Sequence, residues 1–236
     1  MNLQRLDKII SNQFNLPRKI TKACIHRGKV KVDGKVVRDP TLQLDATIAK
    51  IEYRGQALEY KEHIYLILNK PRGVLSASSD KNRQTVVDLV PDTFKRQGLF
   101  PVGRLDKDTS GLLIITDDGD FAHNVISPKK EIFKTYRATL DGDMTAEKVS
   151  VLEKGVTLAD GTRLKPCVII SYDKNICEIK ISEGKYHQIK RMFGVVELGV
   201  DALERTAVGG LHLPQNLEYG ECRELTKAEI ECIFNK

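Results

Sequence analysis

The chain has 236 residues, of which 41% are hydrophobic and 30% charged, and its formal net charge is +6. This length allows one large domain or two smaller ones, with a core that needs no disulfide or metal staple. No stretch approaches the roughly 20 apolar residues of a membrane span, and the opening residues, MNLQRLDKII, lack a signal-peptide pattern. We therefore expect a cytoplasmic protein with no membrane partner.

Cysteine and histidine spacing argues against a metal centre. The five cysteines are at least ten positions apart, and the five histidines are scattered without an HExxH pattern. Neither a Walker A loop nor the glycine pattern of a dinucleotide-binding turn is present. We expect free thiols in a reducing compartment, no bound metal and no cofactor.

Positive charge is concentrated at the beginning of the chain. Residues 1–60 contain 12 lysines and arginines against 6 acids, whereas the remaining residues hold 26 of each sign. Within residues 18–38, eight cations stand against Asp33 alone. Such a density of cations is typical of a surface that binds a polyanion. The residues that we expect to bind RNA are Arg18, Lys19, Lys22, Arg27, Lys29 and Lys31.

The first 40 residues predict two short helices and a hairpin. Apolar residues recur at helical spacing from residue 3 to 14, and Pro17 is suited to open a second helix whose Ile20, Ala23 and Cys24 share one face. A period-two alternation follows, with a turn signal at residues 33–34.

This stretch, RLDKIISNQF followed by PRKITKACIHRGKVKVDGKVVRDP, resembles the alpha-L RNA-binding domain found in a small-subunit ribosomal protein and in several RNA-modifying enzymes. The resemblance implies contact with structured RNA through the second helix and the hairpin. Structured RNA is recognised largely by shape, phosphates and 2′-hydroxyls, which suits lysine and arginine. We place this domain at residues 1–59.

The remaining chain, residues 63–236, mixes strands and helices without strict alternation. This pattern predicts an α+β catalytic domain with a mixed, mainly antiparallel sheet flanked by helices. Strands are expected near residues 64–68, 111–116, 134–140, 165–170 and 176–181. Helices are expected near residues 85–90, 120–127 and 145–152.

The densest group of reactive side chains lies in GRLDKDTSGLLIITDDG, residues 103–119. Taken alone, an aspartate in such a loop more often bonds its own backbone than performs catalysis. The whole stretch, however, resembles the nucleophile motif of the pseudouridine synthases. The resemblance implies that Asp106 is the catalytic aspartate and that Arg104 helps to displace the target base.

Three further segments resemble that family in the same order. FKTYRATL resembles the strand that places a tyrosine, here Tyr136, against the target uracil. EGKYHQIKRMF resembles the segment with the cation that pairs with the aspartate, which leaves Lys190 and Arg191 as candidates. LERTAVGGLHL resembles the closing segment and places Leu203 in the wall of the uracil pocket.

Essentially the whole chain looks most like the small-subunit (16S) ribosomal RNA synthases, the RsuA type. The resemblance implies an isomerase that converts one specific uridine of this RNA to pseudouridine, through an aspartate nucleophile and a flipped-out base. It also implies a partner, ribosomal RNA within an assembling small subunit. We expect a monomer. The sequence does not decide whether the aspartate attacks the uracil ring or the ribose.

Two alternatives stay open from the residues themselves. A non-catalytic RNA-binding or ribosome-assembly factor would explain the basic domain equally well. Binding alone, however, does not require the three motifs that carry Asp106, Tyr136 and Lys190. A glycoside hydrolase would need two independently placed carboxylates, and Asp106 and Asp108 are too close in sequence to supply them. The absence of tryptophan, which commonly forms sugar platforms, also argues against a hydrolase.

Overall fold

The computed structural model describes residues 3–235, and these divide into two compact units. The first contains the described chain up to Ile64 together with Pro91–Leu99. The second contains Tyr65–Val90 and the chain from Phe100 onward. The predicted boundary at residues 59–63 lies next to this division. That prediction did not include the return of Pro91–Leu99 to the first unit.

Hydrogen bonds to backbone carbonyls hold Pro91–Leu99 within the first unit. The guanidinium of Arg96 donates to the carbonyl oxygen of Lys61 at 3.0 Å and to that of Glu62 at 2.9 Å. Bonds between segments so distant in sequence follow no local periodicity. This part of the domain boundary therefore cannot be predicted from local sequence patterns.

In the first unit, two helices accompany short antiparallel strands. One pair joins β1 to β4, and a four-stranded sheet has the order β3-β2-β5-β6. The elements are β1 (Leu3–Arg5), α1 (Leu6–Gln13), α2 (Arg18–His26), β2 (Val30–Val32), β3 (Lys35–Val37), β4 (Gln43–Asp45), β5 (Ile51–Tyr53) and β6 (Gln56–Ala57). Their apolar side chains form one core, to which both helices and β2 and β5 contribute.

The second helix buries a different face from the predicted one. It begins after Pro17 as expected, but Ile20 is 47% exposed, whereas Thr21 and Ile25 are fully buried. Cys24 is the member of the predicted face that is buried. The threonine hydroxyl lies 3.4 Å from the carbonyl oxygen of Pro17, so its polar atom is satisfied within the helix. This local bond lets a polar residue occupy the core position.

A nine-stranded sheet forms the second unit. Its main order is β11-β12-β10-β13-β9-β7-β15, with β8 beside β9 and β14 beside β13. Within the described chain, β13 and β9 pair in parallel and the other neighbours pair antiparallel. The strands are β7 (Tyr65–Lys70), β8 (Phe100–Pro101), β9 (Ser110–Thr116), β10 (Lys134–Leu140), β11 (Val168–Asp173), β12 (Ile176–Ile181), β13 (Val200–Val208), β14 (Leu211–His212) and β15 (Cys222–Glu224).

Four helices accompany this sheet: α3 (Gly119–Ile126), α4 (Ala146–Glu153), α5 (Gln188–Val195) and α6 (Lys227–Cys232). The carboxylate of Asp118 accepts from the backbone N–H of Phe121 at 3.0 Å and caps α3. The predicted α+β class, with a mixed and mostly antiparallel sheet, is confirmed. The basic segment expected from EGKYHQIKRMF supplies α5.

The helix expected near residues 85–90 is wrong. Thr85 forms an isolated bridge with Leu75. The backbone N–H and the hydroxyl of Thr85 both donate to the carboxylate of Asp88, at 2.8 Å and 2.9 Å. These bonds are the ones that a capping box makes at the start of a helix, but the backbone that follows forms only single turns, from Asp88 to Thr85 and from Val90 to Val87. Pro91 then prevents the chain from continuing as a helix.

In the part of the chain that the structure describes, no helix is both long enough and apolar enough to cross a membrane. All five cysteines are free thiols. Among residues 3–235, no group of three or more potential metal-binding side chains is close enough together to hold an ion.

Candidate active site

Asp106 lies in the loop that joins β8 to β9, and a buried lysine holds that loop in place. Lys70, at the end of β7, is fully buried. Its ammonium donates to the backbone carbonyls of Asp106 (3.2 Å), Lys107 (3.4 Å) and Thr109 (2.8 Å), and to that of Pro71 (3.1 Å). An ammonium has three protons for these four acceptors, so the bonds are partly shared.

Burial lowers the pKa of Lys70 to about 8, and the nearby charges of Asp108 and Asp106 oppose that shift. The sequence analysis did not single out this lysine. In the sequence, Lys70 is a charged residue at the end of an apolar strand, directly before Pro71. A lysine at such a position is ordinarily expected in an exposed turn. Lys70 is thus a site residue that acts through the loop backbone.

A serine fixes the same loop from its other side. The hydroxyl of Ser76 donates to the carbonyl of Leu105 at 2.9 Å, and the backbone N–H of Leu105 donates back to that hydroxyl at 3.1 Å. The backbone N–H of Gly73 also donates to the carbonyl of Lys107 at 2.7 Å. The backbone on both sides of Asp106 is therefore positioned before any substrate binds, as an active-site loop requires.

A small cavity of about 70 Å³ opens beside Asp106. This volume is below the range of about 300–1,000 Å³ that is typical of small-ligand sites. Five of the predicted site residues line it together: Arg104, Asp106, Tyr136, Lys190 and Leu203.

Tyr136 and Leu203 form an apolar wall of this cavity. They lie on the neighbouring strands β10 and β13, where Tyr136 is opposite Arg205 and Ala138 is opposite Leu203. Residues two apart on a strand point to the same side of a sheet, so Tyr136 and Leu203 share a face. Both are buried, with 8% and 5% of their surface exposed. The pair gives a planar base an aromatic and an aliphatic surface.

The two predicted cations pair with other acids in this structure. Lys190 forms an ion pair with Asp108, and Arg191 forms one with Asp160. The group that approaches Asp106 is instead His187, whose Nε2 lies 3.5 Å from Oδ1 of the carboxylate. His187 lies directly before α5 and Lys190 in its first turn, and each meets a different aspartate of the loop.

These ion pairs shift the pKa values of the two acids. The hydrogen bond from Lys190 holds the pKa of Asp108 below its usual range, against the opposing effect of burial. For Asp160, backbone and hydroxyl hydrogen bonds from Thr162 come first and Arg191 follows, and together they lower its pKa to about 2. Both acids are therefore ionised at neutral pH and hold their cations in place.

His187 has an unusual backbone and an exposed neighbour. It precedes α5 with φ of 47°, in the left-handed region that most side chains avoid. Its ring stacks on that of Tyr186, with centroids 3.9 Å apart and an interplanar angle of 17°, while Tyr186 is 76% exposed. Such strain is concentrated at functional sites. The sequence analysis missed His187 because it quoted the motif without weighing each of its members.

Comparison with known proteins agrees with this geometry. Residues 64–194 match the family model of RNA pseudouridylate synthases, and residues 4–47 match that of the S4 domain. The chain belongs to the RNA pseudouridylate synthase family. It is therefore an RNA pseudouridine synthase, an isomerase, and its S4 domain indicates RNA as its partner.

Several relatives align with nearly the whole synthase. An uncharacterized RNA pseudouridine synthase of Bacillus subtilis (strain 168) is 41% identical over 97% of this chain and 98% of its own. The ribosomal large subunit pseudouridine synthase B of the same organism is 38% identical, over 97% and 95%. The ribosomal small subunit pseudouridine synthase A of Escherichia coli (strain K12) is 36% identical, over 97% and 99%. A crystal structure of a pseudouridylate synthase has a TM-score of 0.67 at 33% identity, covering 97% of this chain and 99% of that one.

The S4 domain of the synthase presents the predicted basic residues on its surface. Three of them, Arg27, Lys29 and Lys31, line a cavity of about 470 Å³, together with Arg54, which the sequence analysis did not single out. Lys31 lies 3.6 Å from the carboxylate of Glu52 and is partly neutralised by it. The remaining three, on α2, are also exposed: Arg18, Lys19 and Lys22.

Proposed function

We propose that this synthase converts one uridine of small-subunit (16S) ribosomal RNA to pseudouridine, with Asp106 as the nucleophile. The observation that carries the proposal is the position of Asp106. It lies in a loop fixed by Lys70 and Ser76, at a cavity whose wall is formed by Tyr136 and Leu203. A carboxylate fixed at a cavity with an aromatic and an aliphatic wall suits covalent attack on a flipped uridine.

The reaction exchanges one glycosidic bond for another. The bond between uracil N1 and ribose C1′ breaks, the uracil turns, and a bond forms between C5 and C1′. The proton leaves C5 and N1 gains one, so no electrons are exchanged with an external partner. Asp106 forms a covalent intermediate during this exchange and is released at its end.

The other cavity residues have distinct roles in this proposal. Arg104 is exposed at the cavity mouth and fills the space that the flipped base leaves in the RNA. Tyr136 stacks on the flipped uracil, and Leu203 bounds it from the neighbouring strand. Lys190 adds positive charge near Asp106, which favours the ionised nucleophile when RNA excludes water from the site.

The choice of the small subunit rests on the N-terminal domain and on the motifs FKTYRATL and EGKYHQIKRMF, which together look most like the small-subunit type. The synthase aligns with 99% of the small-subunit enzyme of Escherichia coli, through both the S4 and the catalytic domains. A large-subunit synthase is similar to the same extent, so 23S ribosomal RNA is the second candidate substrate. We further propose that the RNA is bound within an assembling subunit, that the enzyme acts as a monomer, and that it works in the cytoplasm.

Tritium release from uracil C5 tests both the reaction and the nucleophile. Ribosomal RNA labelled with [5-³H]uridine is supplied as 16S or 23S, naked or within assembling particles. We expect release from 16S RNA by the wild type, and a loss of at least about a thousandfold in Asp106→Asn. Asp120→Asn, an exposed carboxylate in the first turn of α3, is the matched control and should retain wild-type release.

Each outcome decides between the hypotheses. Release from 23S but not 16S RNA would keep the reaction and change the substrate. No release by the wild type from any of the four substrates, with RNA binding intact, would favour the non-catalytic binding factor. Equal release by wild type and Asp106→Asn would remove Asp106 from the nucleophile's role.

A further inference from the structure

A second, larger cavity lies next to the one that contains Asp106. Its volume is about 400 Å³, within the range of small-ligand sites. Arg104 and Tyr136 line both cavities, so the two are adjacent. Its floor is apolar and comes from β9, β13, α3 and the residue after β8: Ile114, Val208, Val125 and Val102.

The cavity contains a buried arginine whose charge is not matched by an acid. Arg205, on β13, has only 5% of its surface exposed. Its Nε donates to the carbonyl of Leu112 at 2.7 Å, which fixes the direction of the guanidinium. The two terminal nitrogens form no hydrogen bond or ion pair with any residue between 3 and 235. These nitrogens line the cavity and are free to donate to an anion that enters it.

Strands β9 and β13 lie so close together at Arg205 that the position opposite it on β9 requires a glycine. Arg205 pairs with Gly111 on the parallel strand β9, and Gly111 has φ of 100°. A Cβ at Gly111 would lie 2.3 Å from the carbonyl oxygen of Arg205 and 2.7 Å from its nitrogen. The close approach of β9 and β13 therefore fixes the arginine against Leu112.

A lysine beside Arg205 is equally unmatched. The side chain of Lys134, on β10, is mostly buried and lines the same cavity. Its ammonium forms no hydrogen bond or ion pair within the described chain. Burial lowers the pKa of Lys134 to about 8, and the charge of Arg205 lowers it further in the same direction. An anion near both groups would remove this repulsion.

The remaining charges at the cavity are positive or already engaged. Lys185 donates to the carbonyl of Arg163 at 2.7 Å and lies 3.8 Å from Glu183. Glu183 in turn accepts from Gln188 at 3.0 Å. With Arg104 at the mouth, four cations face this one carboxylate around the cavity, and the local field favours a negatively charged ligand.

We propose that this cavity binds the nucleotide next to the target uridine, with its phosphate on Arg205 and Lys134 and its base over the apolar floor. The inference rests on the proposed function, because it needs the RNA strand to pass from the Asp106 cavity across Tyr136. A nucleotide matches both features of the cavity, because its phosphate suits the two cations and its flat base suits the apolar floor. Lys134 and Arg205 are then substrate-binding residues that select the nucleotide beside the uridine.

Removal of one charge tests the inference. Lys134→Met keeps most of the length of the side chain and removes its charge, and Lys134→Arg retains the charge. Lys148→Met removes a charge from a partly exposed site on α4, away from the cavity. We expect Lys134→Met to weaken RNA binding about tenfold, with a smaller effect on the single-turnover rate. Lys134→Arg should restore binding, and Lys148→Met should bind as the wild type does.

Stability separates a binding role from a structural one. Removal of a buried unpaired cation relieves its desolvation, so Lys134→Met should have a Tm equal to or above that of the wild type. A clear fall in Tm together with weaker binding would mean that Lys134 supports the fold, and would overturn the inference. Arg205→Lys, which keeps the charge, is the second variant and should retain part of the affinity.

Neutral linkages in the RNA identify the phosphate. Single methylphosphonates are introduced on either side of the modified uridine, and binding is measured for wild type and Lys134→Met. We expect a methylphosphonate at one linkage to weaken RNA binding by the wild type about tenfold. The same substitution should hardly change binding by Lys134→Met, because that variant has already lost its contact with this phosphate. Additive effects at every linkage would overturn the inference. If the wild type releases no tritium, the proposed function itself is overturned. If the wild type is active but the effects of Lys134→Met and of every methylphosphonate on RNA binding are additive, this inference alone is overturned.

Discussion

At the scale of single residues, Lys70 shows how an active-site loop is built around a buried charge. Its ammonium bonds the backbone of the Asp106 loop, yet its burial lowers its pKa to about 8. The charged form is therefore penalised in the folded protein, and the hydrogen bonds to the carbonyls and the charges of Asp108 and Asp106 offset part of that penalty. The loop carries Asp106, so a change in the charge of Lys70 acts on both stability and geometry.

The low pKa of Lys70 predicts a specific dependence of stability on pH. Between about pH 8 and 10.5 the unfolded chain binds more protons at this residue than the folded one, so stability rises with pH over that window. The cost of burying the charge is present in full below the window. We expect the free energy of unfolding of the wild type, relative to Lys70→Met, to increase by up to about 3 kcal/mol from pH 7 to 10.

Denaturant titrations of both proteins at several pH values measure this difference. Lys148→Met, at a partly exposed position, controls for the loss of one charge. A wild-type to Lys70→Met difference that stays constant across the range would show that Lys70 keeps an ordinary pKa in the fold.

At the scale of elements, α5 and the histidine before it meet two segments through separate pairs: the loop from β8 to β9, and the loop from α4 to β11 that carries Asp160. His187 approaches Asp106, Lys190 pairs with Asp108, and Arg191 pairs with Asp160. In the proposed mechanism Lys190 serves Asp106, so its bond to Asp108 competes with that role. The competing bond involves an exposed carboxylate and is correspondingly weak.

This competition predicts opposite behaviour for the two partners of the pair. Lys190→Met should lower the single-turnover rate about a hundredfold and weaken RNA binding much less. Asp108→Asn should leave the rate unchanged or raise it, because Lys190 is then free to turn to Asp106. Rapid-quench tritium release and filter binding give the two quantities separately. An equal loss of rate in both variants would make the Lys190–Asp108 pair itself the functional unit.

The elements also show where sequence pattern is informative and where it is not. Strands β10 and β12 were predicted at their observed bounds, because alternation of buried and exposed residues is regular in β12 and is interrupted in β10 only where Thr135 and Tyr136 are both buried. The face of α2 was not, because the Thr21 hydroxyl is satisfied within the helix. The turns after Thr85 were not, because the chain reaches Pro91 before a helix can form. The partners of Lys190 depend on how α5 meets a loop some eighty residues away, and no local pattern specifies that.

At the scale of the whole molecule, the cavity at Asp106 and the excess positive charge lie in different parts of the chain. The residues that line the Asp106 cavity all come from the second unit. The excess charge lies in the first quarter of the sequence. Both features were predicted from the sequence, because a motif and a charge count need no tertiary information. Arg205, Lys134 and Lys70 were not, because only the fold shows that these ordinary cations are buried.

This separation predicts that affinity and rate respond to different variants. If the S4 domain neutralises about five phosphates, the slope of log affinity against log salt should be about −3 to −4, at roughly 0.7–0.9 per phosphate. Lys29 forms no ion pair within the described chain, whereas Lys31 lies 3.6 Å from Glu52. Lys29→Gln should therefore flatten the slope by nearly one phosphate, and Lys31→Gln by less.

The matched pair of lysines makes the test independent of total charge, since each variant loses one cation from the same hairpin. Binding to 16S ribosomal RNA across a range of salt concentrations gives the slopes, and single-turnover tritium release at saturating RNA gives the rate. The rate should be unchanged in both variants, because neither lysine lines the Asp106 cavity. Equal slopes for the two variants would mean that the Glu52 pair opens on binding, and a slope unchanged in both would place the RNA elsewhere on the domain.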